Sequence, residues 1–390
     1  MKIAATLKSS CAVMALVTFP AVTALAEPLA FTVGGFFTQS VQLVDVDDHD
    51  DGTSFEDEVL AQNAEIHFKG KTMLDNGTEI GVRIEPEASS NGSRADDQID
   101  EHYLYMKGQW GKLIVGAENG VGHLMQVRAP RFVPGLKIYD NSVTDDIYET
   151  AYDKLLGDDA TDDAIEDAHM STKLEHISGD ANKLSYMTPR VGGLQLGVSF
   201  APNNKDRQGG ENNAAAIDDE VTQEDIIEFG VSFKGKTNGL GYKLSYTTVE
   251  GETVEPGEPD PESSSVGLAL SYGDWIFGGN MSEHDDLGQV DGKYTGSDNI
   301  ETTSYALKYK YGADSYIGIG FTDGEETETD SDNVRNITEF EETMIGGGRK
   351  ITDGVSIGYY YTMTEASYGN ASSKASGEAD ALGLTLDLRF

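Results

Sequence analysis

The sequence predicts an all-β protein: a transmembrane antiparallel β-barrel of about 16 strands, with short turns at one end and long loops at the other. Three observations carry the prediction. Apolar residues recur with period two after the first 26 residues, connectors alternate between tight and long, and the chain ends on ALGLTLDLRF. In that last stretch Leu382, Leu384, Leu386, Leu388 and Phe390 share one parity, and the strand stops on a bare phenylalanine. A soluble domain seldom needs its final residue, because termini fray.

Residues 1–26 lie outside this pattern. Lys2 and Lys8 give a positive start, residues 12–19 a short apolar core, and Ala24-Leu25-Ala26 a small-x-small cleavage signal before Glu27. The apolar run is too short to cross a bilayer as a helix. It reads as a cleaved signal peptide for the Sec pathway. The single cysteine, Cys11, lies within it, so the mature chain has no disulfide and no cysteine metal site.

The formal charge is −40, and losing Lys2 and Lys8 with no acid takes it to −42. Such a chain does not bind nucleic acid electrostatically. High charge can mark disorder, but 18 tyrosines, 14 phenylalanines and regular alternation argue for a folded protein. No later apolar run is long enough for a membrane helix. Any membrane crossing falls to strands.

The strands follow in order. Phe31, Val33 and Phe37 share a parity; then Ala64, Ile66 and Phe68 alternate with Glu65, His67 and Lys69; then Ile80, Val82 and Ile84 alternate with Arg83 and Glu85. LQLGVSF, IEFGVSF, LGYKLSY, VGLALSY, YALKYKY, YIGIGF and VSIGYYYTM continue the series. With its flanks, each approaches the roughly 9–11 residues of a membrane-crossing strand. Tight turns fall at 74–77, 107–111, 189–193, 236–239, 272–275, 311–314 and 350–354. Long polar connectors fall at about 45–58, 86–98, 118–181, 201–224, 250–263, 282–302, 323–338 and 364–379. Eight long loops and seven short turns require sixteen strands, with both chain ends on the short-turn side. MIGGGRKI and WIFGGNMS are weak strand signals, so the count is good to one hairpin.

The two faces of these strands differ in charge. Leu194, Leu196, Val198 and Phe200, like Phe229, Val231 and Phe233, form uncharged faces, while Lys69, Arg83, Lys183, Glu228, Lys308 and Asp387 fall on the opposite parity. A lipid-facing Lys or Arg at mid-bilayer costs about 2–4 kcal/mol, whereas a watery lumen accepts either sign. A soluble sandwich also alternates but needs a second sheet over its apolar face. The even strand count and the asymmetric connectors favour closure, which leaves no backbone edge in lipid.

FTVGGFF, DEHYLYMKGQWGKLIVGAEN, NKLSYMTPRVGGLQLGVSF and the terminal ALGLTLDLRF resemble the Gram-negative general porin family across the mature chain, residues 27–390. The resemblance implies a homotrimeric outer-membrane channel for passive diffusion of ions and small hydrophilic solutes. It implies lipid and lipopolysaccharide neighbours, and a last strand that pairs with the first, with Phe390 read by the barrel-assembly machinery. It further implies that the third loop, 118–181, folds into the lumen and sets acidic side chains against a basic wall. Candidates for that constriction are Asp140, Asp145, Asp146 and Glu149 on the loop, facing Arg83, Lys69 and Lys183 on the strands. This chain departs from the family in having few wall arginines and a loop of mixed sign.

Acid concentrates in the long connectors, as in VDVDDHDDGTSFEDE and TDGEETETDSD. A mouth of one sign concentrates the opposite ion, so the expectation is cation preference, weakened by salt. Ca²⁺ or Mg²⁺ on these loops is the one cofactor the composition suggests. Asp47, His49, Asp51, Gly52 and Glu58 match EF-hand loop spacing, with Asp47, Asp51 and Glu58 as oxygen ligands and His49 as the flaw. Enzyme signals are poor: Gly354-Val355-Ser356-Ile357-Gly358 matches a nucleophile elbow but sits inside an alternating strand. Two alternatives to the diffusion channel stay open: a substrate-selective channel for sugars or organic cations, and a surface β-protein acting as adhesin or binding module.

Overall fold

A computed structural model describes residues 28–47, 58–88, 99–139, 170–205, 222–254, 258–287, 297–329, 334–370 and 373–390. Sixteen strands close into one antiparallel barrel: β1 (Ala30–Asp47), β2 (Glu58–Met73), β3 (Glu79–Glu85), β4 (Glu101–Gly108), β5 (Gly111–Ala117), β6 (Asn182–Met187), β7 (Leu194–Asn203), β8 (Gln223–Thr237), β9 (Leu240–Thr253), β10 (Glu262–Tyr272), β11 (Trp275–Leu287), β12 (Ser297–Tyr311), β13 (Ser315–Thr329), β14 (Arg335–Thr352), β15 (Val355–Asn370) and β16 (Ser373–Arg389). Each strand pairs with its sequence neighbours, and β16 returns to β1 in the register Phe37↔Leu388, Val41↔Leu384. The one helix among the described residues is the four-residue α1 (Val121–Leu124).

Period two decides which face is which. Leu382, Leu384 and Leu386 are exposed on the outside with Val41 and Leu43 beside them, whereas Thr38, Ser40, Gln42 and Thr385 are buried inside. Burying these apolar side chains in lipid replaces the second sheet that a sandwich would need. Aromatic residues gather outside the barrel near the short turns, where Trp275 lies against Tyr309 with ring centroids 4.5 Å apart and the planes tilted by 37°, and Trp110 lies nearly parallel to Tyr186. Such rings suit the membrane–water boundary. The Asn238-Gly239 turn carries positive φ at both residues, 47° and 86°, the geometry that matches strand twist in a two-residue hairpin.

Two sequence expectations are corrected. Most of segments 282–302, 323–338 and 364–379 is strand: β15 runs to Asn370 and β16 begins at Ser373. The wall thus continues past the apolar band as a polar extension, so strands reach 15–18 residues where a membrane needs about ten. The weak signals MIGGGRKI and WIFGGNMS both lie in strands, β14 and β11. On the outside of the extension, Glu283, Glu301, Glu325 and Glu339 face one another across β11–β14, and Asp323, Glu341, Glu365 and Glu378 across β13–β16. Directly opposed like charges cost a few tenths of a kcal/mol per pair or more.

Candidate functional site: the lumen

The segment after β5 runs along the inner wall. Val121 N–H donates to Ser199 of β7 (2.9 Å), Gly122 N–H to Glu228 of β8 (2.7 Å), and Val127 N–H to Ser245 of β9 (2.8 Å). Farther on, Lys308 of β12 donates to the Arg131 carbonyl (2.6 Å), Thr322 of β13 to Ile138, and Thr385 of β16 to Pro134 (2.8 Å). A loop inside a barrel must find partners for its backbone. Here inward-facing Ser, Thr, Lys and Glu side chains supply them from β7 round to β16.

The loop lies close because the wall is locally bare. A Cβ on Gly318 would collide with the Phe132 ring, one on Gly346 would meet Val133 at 2.6 Å, and one on Gly348 would meet Pro134 at 2.5 Å. Phe132, Val133, Leu136 and Ile138 therefore pack with Ala306, Met344 and Tyr360 into a buried cluster between loop and wall. The returning arm does the same: Leu174, Ile177 and Ala181 pack on Ala201, Ile226, Val249 and Ile300. Glu228, 1% exposed, joins the two arms by accepting from Gly122 N–H and from the Ser178 hydroxyl (2.8 Å). A side chain at Gly120 would strike that carboxylate and displace it from its two donors.

Among the described residues, the loop contacts leave most of β2–β5 as the open wall, where a hollow of about 550 Å³ is lined by Lys69, Lys71, Arg83, Tyr103, Lys107 and Lys112 among others. Register sets Lys69 directly opposite Arg83, and Lys107 directly opposite Lys112. Farther round, Lys234 faces Lys243. Toward the long-loop end, His67 Nε2 lies 2.6 Å from Glu65 and 3.1 Å from Glu85, and Arg83 is ion-paired with Glu85. Glu65, His67 and Glu85 each offer a ligand atom within 4.8 Å of the others. Arg83 already neutralises part of that charge and approaches His67 Nδ1 at 3.4 Å, so the group reads as an ion-pair network.

The sequence candidates separate as follows. Lys69 and Arg83 stand on the open wall. Lys183 is buried on β6, donating to the carbonyls of Gly179 (2.5 Å) and Ser178 (3.4 Å), and so serves the returning arm of the loop. Asp140, Asp145, Asp146 and Glu149 lie outside the described residues, as do Ala24, Ala26, Glu27 and Asp51. Asp47 ends β1 and Glu58 begins β2, flanking one hairpin. Phe390 is exposed, its backbone bonded both ways to Gly35 (2.9 and 3.1 Å). Ser356 sits on β15 opposite Asp387, in a strand and not at a strand-to-helix turn. Sequence reasoning missed Lys107, Lys112 and the wall glycines. Inward parity was the signal for all of them.

Among solved structures, the fold is similar to the outer-membrane channel DcaP of Acinetobacter baumannii, at 12% identity and TM-score 0.55, covering 94% of this chain and 97% of that one. It is also similar to the trimer form of OmpT, an outer membrane protein of Vibrio cholerae, at 12% identity and TM-score 0.54, over 93% of this chain and 100% of that one. An anion-selective porin from Comamonas acidovorans gives 12% identity and 0.53 over the same shares. An uncharacterized protein of Rickettsia bellii (strain RML369-C) is 21% identical over 165 residues; the match takes in 41% of this chain and 37% of that protein. The sequence profile of Gram-negative porins matches residues 11–381, and with the sixteen-stranded barrel this means that the chain belongs to the Gram-negative porin family, as a channel-type protein of the outer membrane.

Proposed function

We propose that the protein is a homotrimeric, water-filled channel through which ions and small hydrophilic solutes diffuse passively. The observation that carries this reading is the division of the lumen: the loop after β5 covers the wall from β7 to β16 and leaves a polar, charged passage along β2–β5. The loop's described residues, 118–139 and 170–181, narrow the passage without filling it. Nothing in this arrangement asks for a chemical step.

The acidic connectors and the outward carboxylate rows favour cations at the mouth, while the β2–β5 wall of the lumen sets Lys69, Lys71, Arg83, Lys107 and Lys112 among Glu65, Glu79, Glu85 and Glu101. Wide mouths are screened within about 8 Å at physiological salt, and narrow lumens less so. The cation preference therefore holds at low ionic strength and falls toward zero as salt rises. Ca²⁺ or Mg²⁺ bound among the acidic connectors, with Asp47 and Glu58 at the ends of one of them, would damp it further. Lipopolysaccharide lies against the outer band, Phe390 is the signal to the assembly machinery, and Sec export precedes cleavage before Glu27.

The test is single-channel recording in planar bilayers, with reversal potentials under KCl gradients at low and high mean salt. Conductance steps grouped in threes, with a cation-directed reversal that shrinks with salt, support the reading. An absence of steps from protein whose electrophoretic mobility shifts on boiling sinks it. Amino-terminal sequencing of mature protein checks the cleavage site.

A further inference from the structure

On the open wall, two pairs of cations stand directly opposite each other. In an antiparallel pair, residues directly opposite lie close enough for like charges to repel. Yet Lys69 faces Arg83 across β2–β3, and Lys107 faces Lys112 across β4–β5, in a chain with 68 acidic residues and only 28 basic ones. Carboxylates occupy some neighbouring positions: Glu85 holds Arg83, and Glu79 lies 3.5 Å from Lys71 and accepts from the Tyr105 hydroxyl at 2.9 Å. Lys69, Lys107 and Lys112 have no carboxylate within ion-pair distance among the described residues. Lys112 instead stands over two rings, its ammonium 5.9 Å from the Tyr103 centroid and 5.6 Å from that of Tyr105. Ring faces steady a cation without neutralising it.

We propose that the β2–β5 wall is a binding ledge for small multivalent oxyanions, polycarboxylates or phosphates, with one station at Lys69 and Arg83 and a second at Lys107 and Lys112. Arg83 and Glu79 are four residues apart on β3, and Lys107 is opposite Glu79, so the stations lie about 13 Å apart along the strands. A solute can leave one pair as it reaches the other. The hollow of about 550 Å³ takes an anion of several carbons with its water. Arg83 is partly committed to Glu85, which makes the lysine pair the stronger station. This proposal rests on the channel reading and adds a solute class to it.

The experiment records single channels of the mature protein in KCl while citrate or inorganic phosphate is added in separate arms. Wild type is expected to show concentration-dependent blocking in at least one arm; citrate alone identifies polycarboxylates, phosphate alone identifies phosphates. The double variant Lys107→Gln, Lys112→Gln should weaken the block about tenfold, the effect of losing one charge-assisted hydrogen bond. Lys234→Gln with Lys243→Gln removes a matching pair on another part of the wall and should leave most of the block intact. KCl steps without block by either anion overturn the ledge while sparing the channel. Equal weakening by both double variants also overturns it, in favour of a diffuse basic lumen. Loss of KCl steps in wild type is the separate failure of the channel reading.

Discussion

Glu228 offers the sharpest test of how the inner loop is held. Its carboxylate is buried and accepts from Gly122 N–H at 2.7 Å and from the Ser178 hydroxyl at 2.8 Å, so one side chain ties the outgoing arm of the loop to the returning arm. A hydrogen bond to a charged group contributes about 1.5–3 kcal/mol, so Glu228→Ala should release about 3–6 kcal/mol of local stabilisation and leave a buried N–H without its acceptor. The ladder bonds of β8 to β7 and β9 are backbone bonds and survive the change. The barrel should therefore fold, and its heat-dependent mobility in SDS should match wild type. The open channel, however, should become noisier and its mean conductance should rise as residues 120–128 lift from the wall. Glu228→Gln keeps one acceptor oxygen and presents a donor in place of the other, so about half the effect is expected. An Ala variant with wild-type noise and conductance refutes the latch. An Ala variant that fails to assemble shows that Glu228 supports the barrel instead of the loop.

Gly318→Val should collide with Phe132, which supplies the three atoms nearest to an added Cβ, dislodging the loop's apolar cluster and raising conductance; an unchanged level refutes that packing. Deleting Phe390 removes both backbone bonds to Gly35 and should lower the yield of heat-modifiable barrel several-fold, as read by outer-membrane fractionation; undiminished yield would discount the terminal residue. Burial pushes the pKa of His123 down to about 4 from 6.5, so its contribution to the loop is fully present above pH 6.5 and is lost as pH falls to 4. Asp100 runs the other way, raised to about 6 by burial and then by Glu65, so its contribution is lost as pH rises through 6. His123→Gln should accordingly reduce channel noise at pH 4.5 relative to wild type while changing little at pH 7.5; equal noise at both values counts against burial as the cause. Finally, an acidic mouth in series with the opposed cation pairs of the open wall should pass unequal currents at opposite voltages, and the inequality should vanish in molar salt. A symmetric current–voltage curve in dilute salt would show that the two charged zones do not act in series.

The membrane-embedded half of the fold was legible because lipid forces a contrast between faces, as in Leu382, Leu384 and Leu386 against Gly383, Thr385 and Asp387. The extension above the membrane was not. Along TDGEETET and NITEFEET both faces meet polar surroundings, so hydrophobic period two fades while the backbone keeps pairing, Asp323 with Glu341 and Glu325 with Glu339. The wall glycines misled in the opposite sense. Glycine is depleted from strands, so MIGGGRKI looked like a weak strand; the loss is local, because Gly346 and Gly348 leave room for Val133 and Pro134. The inner loop was placed by family resemblance, since nothing in residues 118–139 alone says which wall they touch. The bond from Gly122 to Glu228 spans 106 positions.

Net charge was the least informative quantity for the lumen, and the reason is geometric. A sum over the chain weights every residue equally, whereas a solute in the passage meets only those of one parity on four strands. Among the described residues, carboxylate rows stand on the outward extension, where water and counterions screen them, while Glu65, Glu79, Glu85 and Glu101 share the inward face of β2–β4 with the basic residues. Lys69, Arg83, Lys107 and Lys112 face inward on short strands, where screening is weaker and repulsion between partners is larger. A carboxylate at position 112 would pair with Lys107 at no cost in strand pairing, whereas one at 107 would stand opposite Glu79. That two opposed pairs persist on one wall, while Lys112 rests on aromatic rings, is hard to account for by folding alone and simple to account for by what the wall touches.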